Sequence, residues 1–261
     1  MPLGSQTLLT QNSELRPDGI WNYAIPAWFV KRSDGSRFLT CPNAGACAQV
    51  CYARNGTYRF SNVLEAHTRN LDRYLADPGQ WLSDLHGELA QDKFRPTGRP
   101  RSVPAGLDPD LQRWADRGGV ASRIHDSGDF FSEEYLRDWL LTASLFTDIL
   151  FYAYTKEVSM LKGIPAGDIP ANFRYLFSTG GLEDVLIDPD LDRHADVFPD
   201  DDALRSAGYE SQEASDLLAI LLRTTRIGIP ANNIPHFNKK LAGRRFSELG
   251  RGGLTSSLDH S

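Results

Sequence analysis

The sequence predicts an α/β fold built on a mainly parallel sheet. Strand-like and helix-like stretches alternate along most of its 261 residues. Residues 149–154, Ile-Leu-Phe-Tyr-Ala-Tyr, form a near-continuous apolar run, as in a strand buried on both faces. With 41% hydrophobic residues the chain can build a core. A partial or small (β/α) TIM-like barrel fits the length as well as an open sheet does.

Residues 1–18 are polar and without clear period, and are expected to form a loosely ordered arm. Residues 19–242 are expected to form a single α/β domain, and 243–261, rich in Gly and Ser, a flexible tail. The aromatic stretch 21–30 reads as the first strand, and Phe38-Leu39-Thr40 as a short strand leading into the cysteines. Val63, Leu64, Leu71, Tyr74 and Leu75 make a helical apolar stripe, with Asn62 and Glu65 at capping-box spacing. Asp77-Pro78-Gly79 ends that helix, and Trp81, Leu82, Leu85 and Leu89 mark another. The Pro- and Gly-rich residues 95–107 read as an exposed loop, whose Arg95, Arg99 and Arg101 are either a small basic patch or a solvated face. Asp108-Pro109 opens a short helix through Trp114, and 120–125 is a strand. Ser132, followed by Glu133 and Glu134, starts a helix carrying Tyr135, Leu136, Trp139 and Leu140. Residues 174–177 and 184–187 are further candidate strands, 210–223 a leucine-rich helix, and 225–229 the last strand.

The three cysteines, Cys41, Cys47 and Cys51, lie within eleven positions as C-x5-C-x3-C. An odd number of thiols cannot all pair within one chain, so a disulfide framework is a poor reading. Thiolates are soft ligands that select zinc, copper(I) or iron–sulfur clusters, and the small Pro42, Ala44, Gly45, Ala46 and Ala48 let the backbone curl round an inorganic core. Structural zinc wants four protein ligands, often in C-x2-4-C pairs. Here there is no fourth cysteine, and the nearest histidine in sequence, His67, falls in a helical stretch. The count favours a 4Fe–4S cluster with one iron left open. Zinc and plain buried or redox-active cysteines are the alternatives.

Ligands of parallel α/β folds bind outside the C-terminal ends of the strands, where the polar residues of interest fall. Cys41, Cys47 and Cys51 follow the first strand. His125, Asp126, Ser127, Gly128 and Asp129 follow the next, then Tyr154, Thr155 and Lys156, then Ser178, Thr179, Gly180 and Gly181. Asn232, Asn233, His236, Asn238, Lys239 and Lys240 follow the last. Asp129, Tyr154 and Lys156 are the catalytic candidates; Arg123, Asp126, Ser127, Gly128 and Ser178 are the cofactor-binding ones. Each has a structural alternative. Asp129 could cap a helix, Lys156 could be a solvated strand end, and His125 could be a satisfied core histidine. The 178–181 amides could cradle an anion. Tyr52 and Tyr58 could shield a cluster or simply pack. The calcium-like 188–192 fails, with Arg193 in place of the loop glycine and Pro199 in place of the final glutamate. No Walker loop, G-x-S-x-G or H-E-x-x-H motif occurs.

A net charge of −6 argues against a general nucleic-acid binder. No apolar run approaches the ~20 residues of a membrane span, and the first residues lack a signal peptide's pattern. Clustered unpaired thiols suit a reducing compartment. The expected partner is a small-molecule substrate or a host protein, and a local basic patch that escapes the global count leaves nucleic acid open. The readings of function are an enzyme using the open iron, a non-catalytic redox, sensor or structural cluster protein acting on a host partner, and a zinc-stabilised module that binds nucleic acid or a host factor.

Three segments resemble the bacteriophage gene product 88 family: Cys-Pro-x-Ala-Gly-x-Cys-x-x-x-Cys-Tyr-Ala-Arg-x-Gly-x-Tyr at 41–58, Arg-Ile-His-Asp-Ser-Gly-Asp-Phe-Phe-Ser-Glu-Glu-Tyr-Leu-x-x-Trp at 123–139, and Phe-Tyr-Ala-Tyr-Thr-Lys at 151–156. That resemblance implies a phage protein working in the host cytoplasm and leaves its reaction open. A more distant similarity is to radical S-adenosylmethionine enzymes, which carry three cysteines after the first strand of a partial barrel. It implies a radical-SAM-like fold with a 4Fe–4S cluster, and S-adenosylmethionine at the open iron, with Ser127-Gly128-Asp129 where those enzymes contact the cofactor's amino group. The chain departs from their C-x3-C-x2-C spacing and has Val50 in place of an aromatic residue before the last cysteine.

Overall fold

A computed structural model describes residues 7–231, Lys239 and 242–249. Its centre is a seven-stranded sheet in which every neighbouring pair is parallel. The strands are β1 (Ile20–Tyr23), β4 (Val120–Ile124), β5 (Ile149–Thr155), β6 (Phe173–Ser178), β7 (His194–Phe198), β9 (Arg226–Pro230) and β8 (Glu210–Ser211), in that spatial order. A separate antiparallel hairpin pairs β2 (Phe29–Lys31) with β3 (Arg37–Leu39).

From β1 to β7 each strand of this sheet lies beside the sheet's next one in sequence, so successive crossovers wind in one direction and bring most of their helices to one face. Helices α2 (Ser61–Ala76), α3 (Pro78–Leu89), α5 (Glu133–Leu145) and α6 (Val158–Gly163) share a core with that face. Its centre is aromatic: Tyr23, Trp81 and Trp139 pack with ring centroids 5.1–5.8 Å apart. On the other face, α4 (Pro109–Asp116) and α8 (Leu218–Leu221) cover Ile20, Ala121, Leu150 and Leu176. The parallel α/β class is as expected. The barrel is not: among the described residues the sheet ends at β1 and β8, which do not pair with each other.

Local chemistry explains where the sequence reading fails. Helix α2 starts at Ser61 without a side-chain cap, so Asn62 and Glu65 form no capping box. Residues 184–186 are a 3-10 turn rather than a strand, because the Asp184 carboxylate accepts the Gly180 and Gly181 N–H groups, both at 2.8 Å. Strand β7 escapes notice because buried polar residues, His194 and Asp196, interrupt its apolar pattern. The expected helix over 210–223 divides into β8, a loop and α8. In that loop Asp216 and Gln212 accept hydrogen bonds from the Tyr152 and Tyr154 hydroxyls, a tertiary demand that overrides helix propensity.

Residues 7–18 are docked rather than loose. Thr10 and Asn22 exchange backbone hydrogen bonds of 2.9 and 2.7 Å, and the buried Glu88 carboxylate accepts the Leu8 N–H at 2.7 Å. Leu8, Leu9 and Leu15 are all buried. Within the expected tail, Phe246 is buried in a short helix, Phe246–Leu249. Arg101 of the basic loop stacks on Trp114 and donates to the Asp18 and Gly119 carbonyls, so it is structural. No helix among the described residues is long and apolar enough to cross a membrane. Replacing Leu8 with Ala should cost about 2–5 kcal/mol. A loose arm would leave the urea midpoint unchanged.

Candidate metal and ligand site

The C-terminal ends of β4, β5 and β6 open onto a cavity of about 490 Å³. All three cysteines line it. So do Arg123, Asp126, Ser127, Gly128, Asp129, Tyr154, Lys156 and Ser178, the residues named from sequence as catalytic or cofactor-binding, whereas Thr179, Gly180 and Gly181 do not. Of the residues expected after the last strand, Asn232, Asn233, His236, Asn238 and Lys240 lie outside the described residues, and Lys239 is exposed.

The cysteine loop follows the β2–β3 hairpin inserted after β1, with Cys47 opening the single helical turn α1 (Cys47–Val50). Gly45, at φ +53°, sits so close to the Gly181 backbone that a Cβ would stand 2.7 Å from its carbonyl carbon; only glycine fits. The Cys47 N–H donates to the Gly180 carbonyl at 3.1 Å, and the Trp28 N–H to the Cys41 sulfur at 3.2 Å. Burial, reinforced by Asp129, pushes the Cys41 thiol up. Cys47 is held below the ordinary thiol range, chiefly by a hydrogen bond from the Cys51 thiol and then by the Lys156 charge. The same bond pushes Cys51 up. Among the described residues no three His, Cys, Asp or Glu side chains stand close enough together to hold one metal ion.

Asp129 and Lys156 are neither a helix cap nor a solvated end. Ser132 caps α5, accepting the Tyr135 N–H. The buried Asp129 carboxylate accepts from the Thr155 hydroxyl at 2.6 Å and from the Phe130 and Lys156 N–H groups. Burial raises its pKa, and these bonds oppose the rise. Lys156 Nζ donates to the Ser178 carbonyl, the Ser178 hydroxyl and the Thr179 carbonyl at 2.6–2.9 Å. Glycine amides 180 and 181, expected as an anion cradle, already hold Asp184.

The opposite wall is polar. Arg123 lies 3.4 Å from Asp216 and 3.5 Å from Asp126, donates to the Tyr52 hydroxyl at 3.2 Å, and stacks 4.9 Å from the Tyr154 ring centroid. Burial alone would lower its pKa, but Asp216, Tyr52 and Asp126 outweigh that and raise it. The Tyr52 and Tyr58 hydroxyls donate to the Asp126 carbonyl and carboxylate. His125, at φ +27°, bonds Tyr135 through Nε2, and burial pushes its pKa down to about 3. Trp28 also holds a positive φ, +68°; two non-glycine residues in strained backbone border one cavity. Three buried polar atoms from lining residues have no partner among the described residues: Arg123 Nε, His125 Nδ1 and Ser127 Oγ. Sequence reasoning missed Asp216, Gln212 and Trp28. Asp216 sits in what reads as a leucine-rich helix, and nothing local marks it.

Residues 4–251 match the family described as Gene product 88. The chain belongs to that family. It is also 30% identical over 123 residues to the Gene 88 protein of Mycobacterium phage D29, a match covering 45% of this chain and 43% of the relative. The shared stretch thus spans less than half of that phage protein. No solved structure matches the chain.

Two predictions follow from the thiols and carboxylates. In metal-free protein, Cys51→Ala should shift the pH midpoint of Cys47 alkylation upward; an unmoved midpoint would rule out the thiol pair. Burial and the Asp129 charge push Glu157 from the ordinary 4.5 up to about 8. The folded state therefore holds a proton that the unfolded chain has released. The stability this group contributes is full below 4.5 and is lost as pH rises through about 8. Glu157→Gln should flatten the fall in urea midpoint across that window. A slope unchanged in the variant would show the carboxyl to be ionised throughout.

Proposed function

We propose that this protein carries an iron–sulfur cluster on Cys41, Cys47 and Cys51 and holds a small molecule beside it. The observation that carries the reading is that the chain's only three cysteines line one cavity. Soft thiolates suit iron–sulfur chemistry. In a cluster each thiolate binds a different iron, so the ligands ring a volume instead of meeting at a point. Zinc needs ligands that converge on one ion, and none do so among the described residues. Such a cluster, when bound, supplies electron transfer and, with only three protein thiolates, a coordination position open to an outside ligand.

The chain's own residues would bind and orient that ligand. Arg123 offers a buried charge and a free Nε, and Ser127 a free hydroxyl. Tyr154 backs the guanidinium. Asp126 and Gly128 complete that wall, and Ser178 borders it through the hydroxyl that Lys156 holds. Asp129 and Lys156 act as positioning residues, since their polar atoms are engaged with strand ends. What supports a radical-SAM-like enzyme is the cysteine loop after β1 of a sheet wound in one direction from β1 to β7, and S-adenosylmethionine is then the ligand to try first. The hydrogen-bonded Cys47–Cys51 pair favours a second reading, a protein that carries electrons or senses redox state, acting on a host partner. Either activity suits a reducing host cytoplasm.

The test is anaerobic purification with iron, sulfide and zinc quantified, and a visible spectrum taken before and after S-adenosylmethionine. The expected result is about four irons and four sulfides per chain, lost in Cys47→Ala, with a spectral change on addition. An unresponsive cluster would favour the redox reading; one zinc without sulfide would overturn the proposal.

A further inference from the structure

A second cavity, of about 640 Å³, lies at the opposite ends of the strands from the cysteines, beside the starts of β6 and β7. Its size is in the range of small-molecule pockets, roughly 300–1,000 Å³. Three arginines line it: Arg174 on β6, Arg193 just before β7, and Arg223 after α8. The one carboxylate among its lining residues is Asp108. In a protein of net charge −6, this is a locally cationic pocket.

Among the described residues only one of the three charges is paired with a carboxylate. Asp108 already caps α4, accepting the Asp110 and Leu111 N–H groups. It also meets Arg174 Nη2 at 3.0 and 3.1 Å, and Arg174 Nε is buried with no partner among the described residues. Among the described residues Arg193 donates only to the Ala219 and Leu222 carbonyls, which carry no formal charge. Burial lowers its pKa, and the neighbouring Arg174 charge lowers it further, against the opposing pull of Asp108 and Glu210. Arg223 is exposed at the rim. Like charges gathered at a partly buried site stabilise the fold only when an anion joins them.

We propose that this cavity binds a small molecule carrying a phosphate group on an apolar body. A planar carboxylate, from Asp108, already occupies one guanidinium. The remaining donors come from three separate side chains, which a tetrahedral anion with several acceptor oxygens can engage together. Leu107, Leu111, Phe173 and Leu222 supply the apolar walls.

The experiment is calorimetric titration of the full chain with phenyl phosphate, inorganic phosphate and benzoate. The expected result is one saturable site per chain for phenyl phosphate and weaker binding of the two comparators. Arg223→Gln, an exposed change that should leave the fold intact by circular dichroism, should weaken phenyl phosphate about tenfold, equivalent to about 1.4 kcal/mol. Arg174→Lys keeps the charge but loses the planar fork, and should weaken it as well. Absence of saturable phenyl phosphate binding, or affinity unchanged in Arg223→Gln, would overturn the site. Benzoate binding as tightly as phenyl phosphate would overturn the phosphate assignment.

Discussion

The buried Asp129 carboxylate is the knot on which the cysteine cavity depends. It ties the turn after β4 to the end of β5 through Thr155 and Lys156. Its own N–H donates to the Thr40 carbonyl, one residue before Cys41. Lys156 then carries the link to Ser178 and Thr179 at the end of β6. The Thr179 hydroxyl donates to Asp196 on β7, and Asp196 also accepts from the Ser247 hydroxyl. A buried carboxylate without these donors would be costly. With them it joins successive strand ends and the cysteine loop into one polar chain, so the spacing of the thiols is fixed by the sheet rather than by the loop alone.

The sheet in turn works because its two faces do different jobs. Winding in one direction puts α2, α3, α5 and α6 on one side, where Tyr23, Trp81 and Trp139 fill the core. The other side is left with less helix to cover it. Apolar residues of α4 and α8 close its lower part, and the network of Arg123, Tyr152, Tyr154 and Asp216 occupies the upper part near the cysteines. The polar wall of the cavity is thus what a parallel sheet builds where its second helical layer runs out.

Much of this was legible in the residues. Strands β4, β5, β6 and β9 and helices α3, α4 and α5 announce themselves by apolar period and by Ser132 or Asp108 at the cap. The cysteines and the catalytic and cofactor-binding candidates fall on one cavity because strand ends in parallel sheets share a face. The failures have a common cause: side chains whose partners are distant in sequence. Asp196 looks like a break in a strand until Thr179 and Ser247 are found around it. Gln212 and Asp216 look helical until Tyr152 and Tyr154 take them. Glu88, on a helix, pins Leu8 eighty residues earlier. Roles are hidden for the same reason; Lys156 resembles a surface lysine until its acceptors are known.

The docking of Phe246 and Ser247 has a consequence for how the protein is made. Phe246 packs over Gly180 and borders the cavity beside Cys47, while Ser247 fastens to Asp196. A chain synthesised from its N-terminus delivers the thiols some two hundred residues before this last wall. Ile229, Pro230 and Ala231 line the same side and come just as late, so the cavity beside Cys47 stays open on that side until the end of the chain has been made.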